Sequence, residues 1–426
     1  MAGELKNGTS VIGVGLTRFG DLLETPEIKG LTLQELAAQA AFEAMDDANV
    51  EPKEIDAVLY GNAMVYTSNL PATYSQISKW IGMDLKPGIH FETQCSTTNT
   101  GMCLAAMGVA SGVYDKVLVV GVEATRNKVK GLSHPYEREA IPPETTWLWT
   151  DYAVNQAYSV PQGYDIFSTY NGIVAQGYAR KYGLSIDQLD EVMFEICRTR
   201  RMHGALNPKA FIQKRIEDEA KEHGFDNAWE FWRSRYNPFV GWPIRVRSLV
   251  TPADGASAIV MCRADEAGRY TDTPIDLKGF YFCGGDNPWY TADPTLFPAD
   301  KIAFRKAYRM ARIEPHDIDY LHVHDCSHIC NVVLSEEAGY FPKGGGWKAA
   351  LEHRTDFNGD KPMTTGGGRH ALGHAWAASA GSETYEAVKQ MRGECGKRQI
   401  WPEPEVSVVH THGYSMIGTV CVLRRR

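Results

Sequence analysis

The sequence predicts an α/β protein made of two halves with the same fold, on two observations. Residues 44–56 and 307–319 share one pattern, in which an alanine-rich helix stops before Glu-Pro, an acidic turn follows, and a short apolar strand comes next. Glycine-bearing apolar helices also lead to a strand in each half: 101–112 to 116–122, and 381–393 to 406–410. Strands and helices that alternate in this order form mostly parallel sheets covered by helices. We therefore expect functional side chains at strand carboxyl ends and helix N-termini.

Size and charge exclude several classes of protein. The chain has 426 residues, more than the roughly 250–300 that one core organises, so at least two domain-sized units are expected. The formal net charge of −8 argues against a nucleic-acid partner. No apolar run approaches the ~20 residues of a membrane span, and residues 1–10 lack the apolar stretch of a signal peptide. We expect a cytoplasmic protein without a membrane partner.

Residues 127–245 interrupt the repeat with clustered tryptophans and a charged helix predicted over 210–223. We interpret this stretch as an inserted loop domain. The N-terminal half then comprises 1–126 and 246–268, and the C-terminal half comprises 269–426. A long aromatic insertion either shapes a substrate pocket or packs as a lid, and the sequence leaves both open.

Cys95 lies where a predicted strand gives way to a helix, in the stretch 92–106, ETQCSTTNTGMCLAA. The nine cysteines are scattered and odd in number, so we expect reduced thiols rather than a disulfide scaffold. A thiol at a helix N-terminus has a lowered pKa and lies near free amides that hold an oxyanion. A buried cysteine without chemistry is the simpler explanation for any single position. Cys95 is therefore a candidate nucleophile only together with other groups.

A glycine run with a histidine mirrors that position in the second half, in the stretch 366–381, GGGRHALGHAWAASAG. Alignment of Gly381 with Gly101 puts His374 beside the equivalent of Cys95. Glycines permit unusual backbone angles and close approach. A histidine that enters a helix there is placed to activate a nucleophile or to donate to an oxyanion.

The stretch 321–330, LHVHDCSHIC, contains five metal-capable side chains that would share one face of a continued strand: His322, His324, Cys326, His328 and Cys330. Their spacing matches no common zinc pattern, and a helix is predicted over 331–339. We expect no metal, although a metalloprotein stays open as an alternative. An acid/base role needs only His324 and Cys326 at the end of the strand.

The C-terminal stretch 408–423, VVHTHGYSMIGTVCVL, predicts a strand, a tight turn that bears His412, and a final strand. His412 would then lie at the same sheet end as Cys95 and His374. A turn residue without chemistry explains it equally well.

These four stretches, in this order, resemble the motifs of the thiolase superfamily, and His-Asp-Cys at 324–326 is similar to its sterol-carrier-protein-type branch. The likeness covers nearly the whole chain and includes 251–258, TPADGASA, which is similar to the segment that closes the N-terminal half of thiolases. The resemblance implies a thiolase-like five-layered αβαβα fold of two duplicated halves with an inserted loop domain. It also implies a homodimer core and chemistry on coenzyme A thioesters.

By position, Cys95 matches the acylated nucleophile of that family, and His374 matches the histidine of the Gly-His-Pro motif that activates it. Cys326 matches the second acid/base, and His324 the histidine beside the first oxyanion hole. Ala375 departs from the family pattern, because it replaces the proline of that motif.

His412 falls where other thiolases have the cysteine of a CxG motif. The resemblance then implies that the backbone amides of Cys95 and Tyr414 form the second oxyanion hole. Ser327 also departs from the family's His-Asp-Cys-Phe motif. These departures leave the substrate pocket and the division of acid/base work open.

The resemblance implies cleavage of a 3-oxoacyl-CoA by free coenzyme A through an acyl-cysteine, or the reverse Claisen condensation. It also implies a small partner protein that combines a zinc ribbon with an OB-fold. The aromatic residues of the insertion suggest a bulky acyl group, as in benzoylsuccinyl-CoA, and Arg126, Arg138 or Arg369 are candidates for an extra carboxylate or the coenzyme A phosphates. A thiolase-fold retro-aldolase and a non-catalytic scaffold subunit are the other hypotheses.

Overall fold

A computed structural model of the chain describes residues 8–63, 73–125, 166–284, 293–413 and 417–426. Strands and helices alternate along both halves of the chain, as the sequence predicts. Among these residues, no helix combines the length and the apolar character needed to cross a membrane.

The N-terminal half forms a sheet with helices on both faces. Its elements are β1 Thr9–Leu16, α1 Leu33–Asp47, β2 Ala57–Gly61, α2 Thr73–Trp80, β3 Gly88–Phe91, α3 Thr97–Ala110, β4 Lys116–Glu123 and, after the insertion, β7 Gly255–Arg263. A capping box starts α1, because the Thr32 hydroxyl accepts a hydrogen bond from the Glu35 amide while the Glu35 carboxylate accepts one from the Thr32 amide.

The described part of the predicted insertion is mainly helical. It contains α4 Ile166–Tyr182, α5 Ile186–Ala205, α6 Ile216–Glu222, α7 Ala228–Trp232 and a hairpin of β5 Phe239–Gly241 with β6 Ile244–Arg245. Residues 126–165 lie outside the described part, so the predicted division of the chain at 127–245 stays a prediction.

The helix predicted over 210–223 is wrong in its first half, because only Ile216–Glu222 is helical. Phe211 and Ile212 donate backbone hydrogen bonds to the carbonyls of Leu372 and Ala371, at 3.0 and 2.9 Å. This long-range pairing keeps the segment extended. The local charge pattern contains no signal of it.

The C-terminal half repeats the plan of the first. Its elements are β8 Ile275–Gly284, α8 Pro298–Ala311, β9 Tyr320–His322, α9 His328–Glu337, α10 Gly346–Leu351, α11 Gly368–Ala371, α12 Trp376–Met391, β10 Val406–Gly413 and β11 Ile417–Arg425.

The two half-sheets join into one sheet with the order β3-β2-β4-β7-β1-β8-β11-β10-β9. Only Thr9 to Val11 of β1 pair with β8, so the junction is short. β2 runs parallel to β3 and β4, and β9 runs parallel to β10, whereas the other neighbours are antiparallel. The prediction of mostly parallel sheets is therefore wrong, because the four strands in the middle of the sheet, β7, β1, β8 and β11, run antiparallel to both of their neighbours.

Alternate side chains of the strands face different helix layers. Leu118 and Val120 of β4 lie in a core with α1 and α2, whereas Val119 lies in a central core with α3 and α12. Cys421 of β11 shares that central core, and its neighbour Val422 packs with α8 and α9. The layers therefore run helix, sheet, helix, sheet, helix, which confirms the αβαβα fold.

The duplication extends to the backbone. Asn49 after α1 and Arg312 after α8 occupy equivalent places in the repeat and both adopt left-handed angles, with φ of 53° and 56°. A 3-10 turn follows each of them, at Pro52–Glu54 and Pro315–Asp317. Both helices therefore end in the same way before their strands begin.

Gly381→Ala tests the close packing of the central layer. A Cβ at Gly381 of α12 would lie 2.1 Å from Ser257 Oγ and 2.8 Å from Thr98 Cγ2. We expect the free energy of unfolding to fall by about 1–3 kcal/mol through overpacking. Urea unfolding monitored by circular dichroism measures this change. Gly268→Ala is the matched control, because no atom lies within 4 Å of a Cβ built there. Equal changes in the two variants would contradict the packing argument.

Candidate active site

Cys95 lies at the entrance of α3, in a 3-10 turn at Gln94–Ser96. Gln94 has a left-handed backbone with a φ of 52°, which turns the chain sharply between β3 and the helix. The Thr97 hydroxyl closes this turn, because it accepts from the Thr93 amide at 3.0 Å and donates to the Gln94 carbonyl at 2.5 Å. The Cys95 thiol is 4% exposed and sits at the positive end of the helix.

His374 lies against this thiol, with its Nε2 atom 3.1 Å from Cys95 Sγ. Its backbone is fixed from both sides, because its amide donates to the Thr251 carbonyl at 2.7 Å and its carbonyl accepts from the Ala253 amide at 3.0 Å. Its Nδ1 atom is 2.9 Å from Ser379 Oγ. The ring is therefore held at one nitrogen and presents the other to the thiol.

Cys326 is the second thiol of the site, with its Sγ atom 3.8 Å from the same His374 Nε2 atom. The pKa of Cys95 is held well below its usual value, because the Cys326 thiol hydrogen-bonds to it and His374 and Arg369 add positive potential, against the effect of burial. Burial, and then the neighbouring Cys95, raise the pKa of Cys326 well above its usual value. Two neighbouring groups with pKa values pushed apart are typical of a nucleophile and an acid.

Arg369 is 1% exposed and contacts both thiol residues. Its Nε atom is 2.6 Å from Glu383 Oε1, its Nη2 atom donates to the Cys95 carbonyl at 3.1 Å, and its Nη1 atom is 3.8 Å from Cys326 Sγ. The expectation that Arg369 meets a substrate carboxylate or phosphate is therefore wrong, because protein groups occupy its guanidinium. Arg126 and Arg138 lie outside the described residues.

A second buried cluster adjoins the thiols and is centred on Asp300 of α8. Its carboxylate accepts from His410 Nε2 at 2.6 Å and from His412 Nδ1 at 2.9 Å. Burial alone would raise the pKa of Asp300, but His412 and His410 lower it far below its usual value. Asp300 therefore stays ionised and fixes both rings.

His324 connects the two clusters. Its ring centroid is 5.3 Å from that of His412 and 6.4 Å from that of His374. Burial lowers the pKa of His324 well below its usual value, so the ring is neutral. Because its Nδ1 atom accepts the His412 amide proton at 3.2 Å, Nε2 carries the ring proton. His324 is thus a hydrogen-bond donor, as the oxyanion role implied by the resemblance requires.

The five metal-capable side chains of 321–330 do not gather on one face. β9 ends at His322 and α9 begins at His328, which breaks the alternation. The Nδ1 atom of His322 lies 3.7 Å from Glu383 Oε2, whereas that of His328 lies 3.0 Å from the Met193 carbonyl. In the part of the chain that the structure describes, the sets close enough to ligate an ion are two: Cys95, Cys326 and His374, and Asp300, His410 and His412.

Sequence reasoning brought together Cys95, His374 and Cys326, and the structure places the three within 4.8 Å of one another. It missed Asp300, His410, Ser379 and Glu383. The period of two in β10 puts His410 and His412 on one face, so His410 had a signal. Asp300 had none, because it lies in the first turn of its helix, before the part that the repeat covers. Tyr414 lies outside the described residues, so the second oxyanion hole stays a prediction.

Two family models match the chain. One, described as "Thiolase, N-terminal domain", matches residues 9–206, and the other, "Thiolase C-terminal domain-like", matches residues 289–425. Together the two ranges cover well over half of the chain.

Curated relatives agree with this match. An "Acetyl-CoA acetyltransferase" of Methanothermobacter thermautotrophicus is 29% identical over 95% of this chain and 96% of its own length. The "Benzoylsuccinyl-CoA thiolase subunit BbsB" of Thauera aromatica is 25% identical over 96% of each chain. "Sterol carrier protein 2" of Bos taurus is 23% identical over 98% of this chain and 72% of its own length.

Solved structures show the same fold. The "Ltp2-ChsH2(DUF35) aldolase" aligns with a TM-score of 0.74 at 18% identity, over 99% of both chains. Human mitochondrial 3-ketoacyl-CoA thiolase in complex with CoA aligns with a TM-score of 0.68 at 16% identity, also over 99% of both chains.

The family matches, with the fold and the paired thiols, define the class of this protein as an acyl-CoA C-acyltransferase. The chain belongs to the thiolase superfamily, in the branch of the sterol-carrier-protein-type thiolases.

Ser379→Ala tests how His374 is positioned. Without the Ser379 hydroxyl, Nδ1 loses its partner and the ring is free to turn away from Cys95. We expect alkylation of Cys95 by iodoacetamide at pH 7 to slow about tenfold, measured by peptide mass spectrometry. The variant also leaves the Ala375 amide, now 2.8 Å from Ser379 Oγ, without a partner, so a melting curve must confirm folding at the assay temperature.

Ser382→Ala is the matched control for that experiment. Ser382 is buried on the same helix, and its hydroxyl donates to the Ser379 carbonyl at 2.7 Å rather than to His374. Its alkylation rate should stay near that of the wild type. Equal slowing in both variants would mean that the helix, not the hydrogen bond to His374, controls the thiol.

Buried neutral histidines predict a loss of stability in acid. Burial lowers the pKa of His203 and of His370 to about 3. The unfolded chain takes up these protons near pH 6.5, so the stabilisation is complete above about pH 6.5 and is lost as pH falls toward 3. Each ring accounts for about 1.4 kcal/mol per pH unit in that window.

His370→Gln isolates one of these contributions, because a glutamine amide can replace Nδ1 as donor to the Leu249 carbonyl, now at 2.9 Å. Urea unfolding at pH 7.5, 6 and 5 should show a shallower loss of stability than in the wild type. A difference between the two proteins that does not change with pH would contradict the depressed pKa.

Proposed function

We propose that this protein cleaves a 3-oxoacyl-CoA with free coenzyme A through an acyl group on Cys95, or catalyses the reverse Claisen condensation. One observation supports this above all others. Two buried thiols, Cys95 and Cys326, lie 3.1 and 3.8 Å from one nitrogen of His374. Acyl transfer coupled to carbon–carbon bond cleavage needs a nucleophile and a separate acid at one place.

In the first half-reaction, the Cys95 thiolate attacks the ketone carbon of the 3-oxoacyl-CoA. The bond to the α-carbon then breaks, and its electron pair becomes the enolate of the departing acyl-CoA. Cys326, whose raised pKa keeps it protonated, gives its proton to that carbon. The Nε2–H group of His324 is assigned to the oxygen that becomes negative.

In the second half-reaction, the thiol of free coenzyme A gives its proton to the Cys326 thiolate. Its sulfur attacks the acyl carbonyl on Cys95, and the amides of Cys95 and Tyr414 are assigned to hold the oxygen. Collapse forms the new thioester and returns the Cys95 thiolate beside His374. Both thiols are then restored, which balances the cycle.

His412 is assigned to proton transfer in the same site. Its Nδ1 atom donates to Asp300 at 2.9 Å, so Nε2 is the ring nitrogen left to exchange a proton. This Nε2 atom is buried and has no hydrogen-bond partner among the described residues. An imidazole with a free nitrogen supplies a base where, by the resemblance, other thiolases have a cysteine.

We propose a bulky acyl group for the substrate. The relative named as a benzoylsuccinyl-CoA thiolase subunit favours a bulky aromatic group, and among the aromatic side chains of the predicted insertion Phe167 is half-buried. Trp147, Trp149, Tyr152 and Tyr164 lie outside the described residues. Trp376 is a counter-argument, because it is 1% exposed and packs with Cys95 and Ala63. The first substrates to compare are therefore acetoacetyl-CoA and benzoylsuccinyl-CoA.

We also propose a homodimer core and a small partner that combines a zinc ribbon with an OB-fold. A relative named as a subunit and a structural neighbour that is itself a complex support a heteromeric assembly. Size-exclusion chromatography with light scattering, alone and with a candidate partner, tests both parts.

Substitution of the two thiols separates their roles. After brief incubation with acetoacetyl-CoA or benzoylsuccinyl-CoA, intact-mass spectrometry should find an acyl group on the wild type and none on Cys95→Ala. Cys326→Ala should still acquire the label, but its turnover should fall by about 10²–10⁴-fold, because the carbanion lacks its acid. Cys103→Ala is the control, since Cys103 is buried in the central core, where its sulfur lies 3.8 Å from that of Cys421.

Other outcomes of this experiment identify the alternative functions. Cleavage of a β-hydroxyacyl-CoA without any label on Cys95 would establish the retro-aldolase. Absence of both labelling and cleavage, also with a partner protein present, would leave the scaffold role.

A further inference from the structure

Arg369 and Glu383 form a buried ion pair that contacts the Cys326 thiol and the Cys95 carbonyl, and the proposed reaction assigns it no role. The Arg369 Nε atom and Glu383 Oε1 are 2.6 Å apart, and both side chains are 2% exposed. Removal of two charges from water is unfavourable, and only good geometry between the ions offsets that cost. An ion pair that lies beside the reactive thiols despite this desolvation cost is therefore a candidate for a function.

The geometry of the ion pair leaves the two terminal nitrogens of the guanidinium, Nη1 and Nη2, available to contact the two cysteines. A carboxylate that met Arg369 with both oxygens would occupy two of its nitrogens. Here Glu383 uses only Oε1, against Nε, and its Oε2 atom has no hydrogen-bond partner among the described residues. Nη1 and Nη2 are therefore free to contact Cys326 Sγ, at 3.8 Å, and the Cys95 carbonyl, at 3.1 Å.

The glycine run places Arg369 there. Gly367 and Gly368 have φ of 104° and 60°, and a Cβ on Gly368 would lie 2.0 Å from Asp325 Oδ2. This close approach allows the Arg369 amide to donate to Asp325 Oδ1 at 2.9 Å. Since Asp325 is itself paired with the buried Arg200 at 3.1 Å, the backbone of Arg369 is anchored independently of its side chain.

We propose that Arg369 is a further functional residue of this site, whose fixed positive charge stabilises the thiolate form of Cys326 and, through the shared hydrogen bond, of Cys95. An arginine stays protonated at every working pH, so this charge does not depend on the state of His374. Glu383 orients the guanidinium, and because burial raises the pKa of Glu383 to about 8, it balances the arginine charge fully only above that pH. The catalytic role of Cys326 rests on the proposed function, whereas the effect of the charge on the thiols does not.

Other charged and titratable groups surround these atoms, and the test must separate Arg369 from them. They are Glu383, Asp325, Arg200, His322, His324, His374, Cys95 and Cys330.

The test measures the pH dependence of alkylation of Cys95 and Cys326 by iodoacetamide, with peptide-resolved mass spectrometry and no acyl-CoA present. Removal of one partner alone would leave a buried unpaired charge, so the main variant is Arg369→Met combined with Glu383→Met. We expect its midpoints to move upward by about one pH unit, which slows alkylation at pH 7 about tenfold. The single variant Arg369→Lys keeps the positive charge, so its midpoints should show only a small part of this shift.

A second buried ion pair, whose glutamate lies on the same helix as Glu383, is the matched control. Arg398 and Glu386 are 2.8 Å apart, with side chains 7% and 3% exposed, and have no hydrogen bond to Cys95 or Cys326 among the described contacts. Arg398→Met combined with Glu386→Met should leave both thiol midpoints in place. A folded Arg369→Met/Glu383→Met protein with wild-type midpoints, or equal shifts in both double variants, would overturn the proposal. Because no substrate enters the assay, this result is independent of whether the protein proves to be a thiolase.

Discussion

The contact of 3.1 Å between Cys95 Sγ and His374 Nε2 depends on two helices from different halves that begin at the same place. α3 and α12 are side by side in the central layer, where Thr98 Oγ1 donates to the Ala377 carbonyl at 2.5 Å. A Cβ on Gly121 would lie 1.9 Å from Thr98 Oγ1, so the sheet can support these helix ends only where the side chain is absent. The helix ends therefore meet at the nucleophile, which stabilises its negative charge.

That arrangement buries charge, and much of the surrounding network compensates for it. Asp300 orders His410 and His412, and the amide of His412 in turn fixes the proton of His324. Arg369 and Glu383 form a second ion pair on the side of Cys326. Each cluster satisfies most of its own donors and acceptors, as buried polar groups must. The neutral ring of His324 adds no positive charge to the centre, whereas the buried His203 and His370 outside it make the fold sensitive to acid.

Local sequence patterns predicted the helix ends and the strand-to-helix turns, because short-range interactions determine these features. The Glu-Pro repeat indicated two equivalent helix ends, and the structure extends the equivalence to Asn49 and Arg312. The strand-to-helix patterns also predicted that Cys95 and His374 lie close together. Strand direction, the extended segment around Phe211 and the role of Asp300 depend on contacts between distant segments. No single stretch of sequence contains that information, so neither the mixed sheet nor the second buried cluster was predicted.

The duplicated fold explains why one site can hold two different reactive groups. The mirror of Cys95 is Ala375, so the second half offers no competing thiol at the equivalent helix end. His374, one residue earlier, reaches across instead. A nucleophile and its base must differ in chemistry yet share one location, and identical halves would place two like groups there. The two halves thus provide equivalent backbone positions, namely two matched helix ends. The side chains at these positions differ, and this difference provides the acid/base pair.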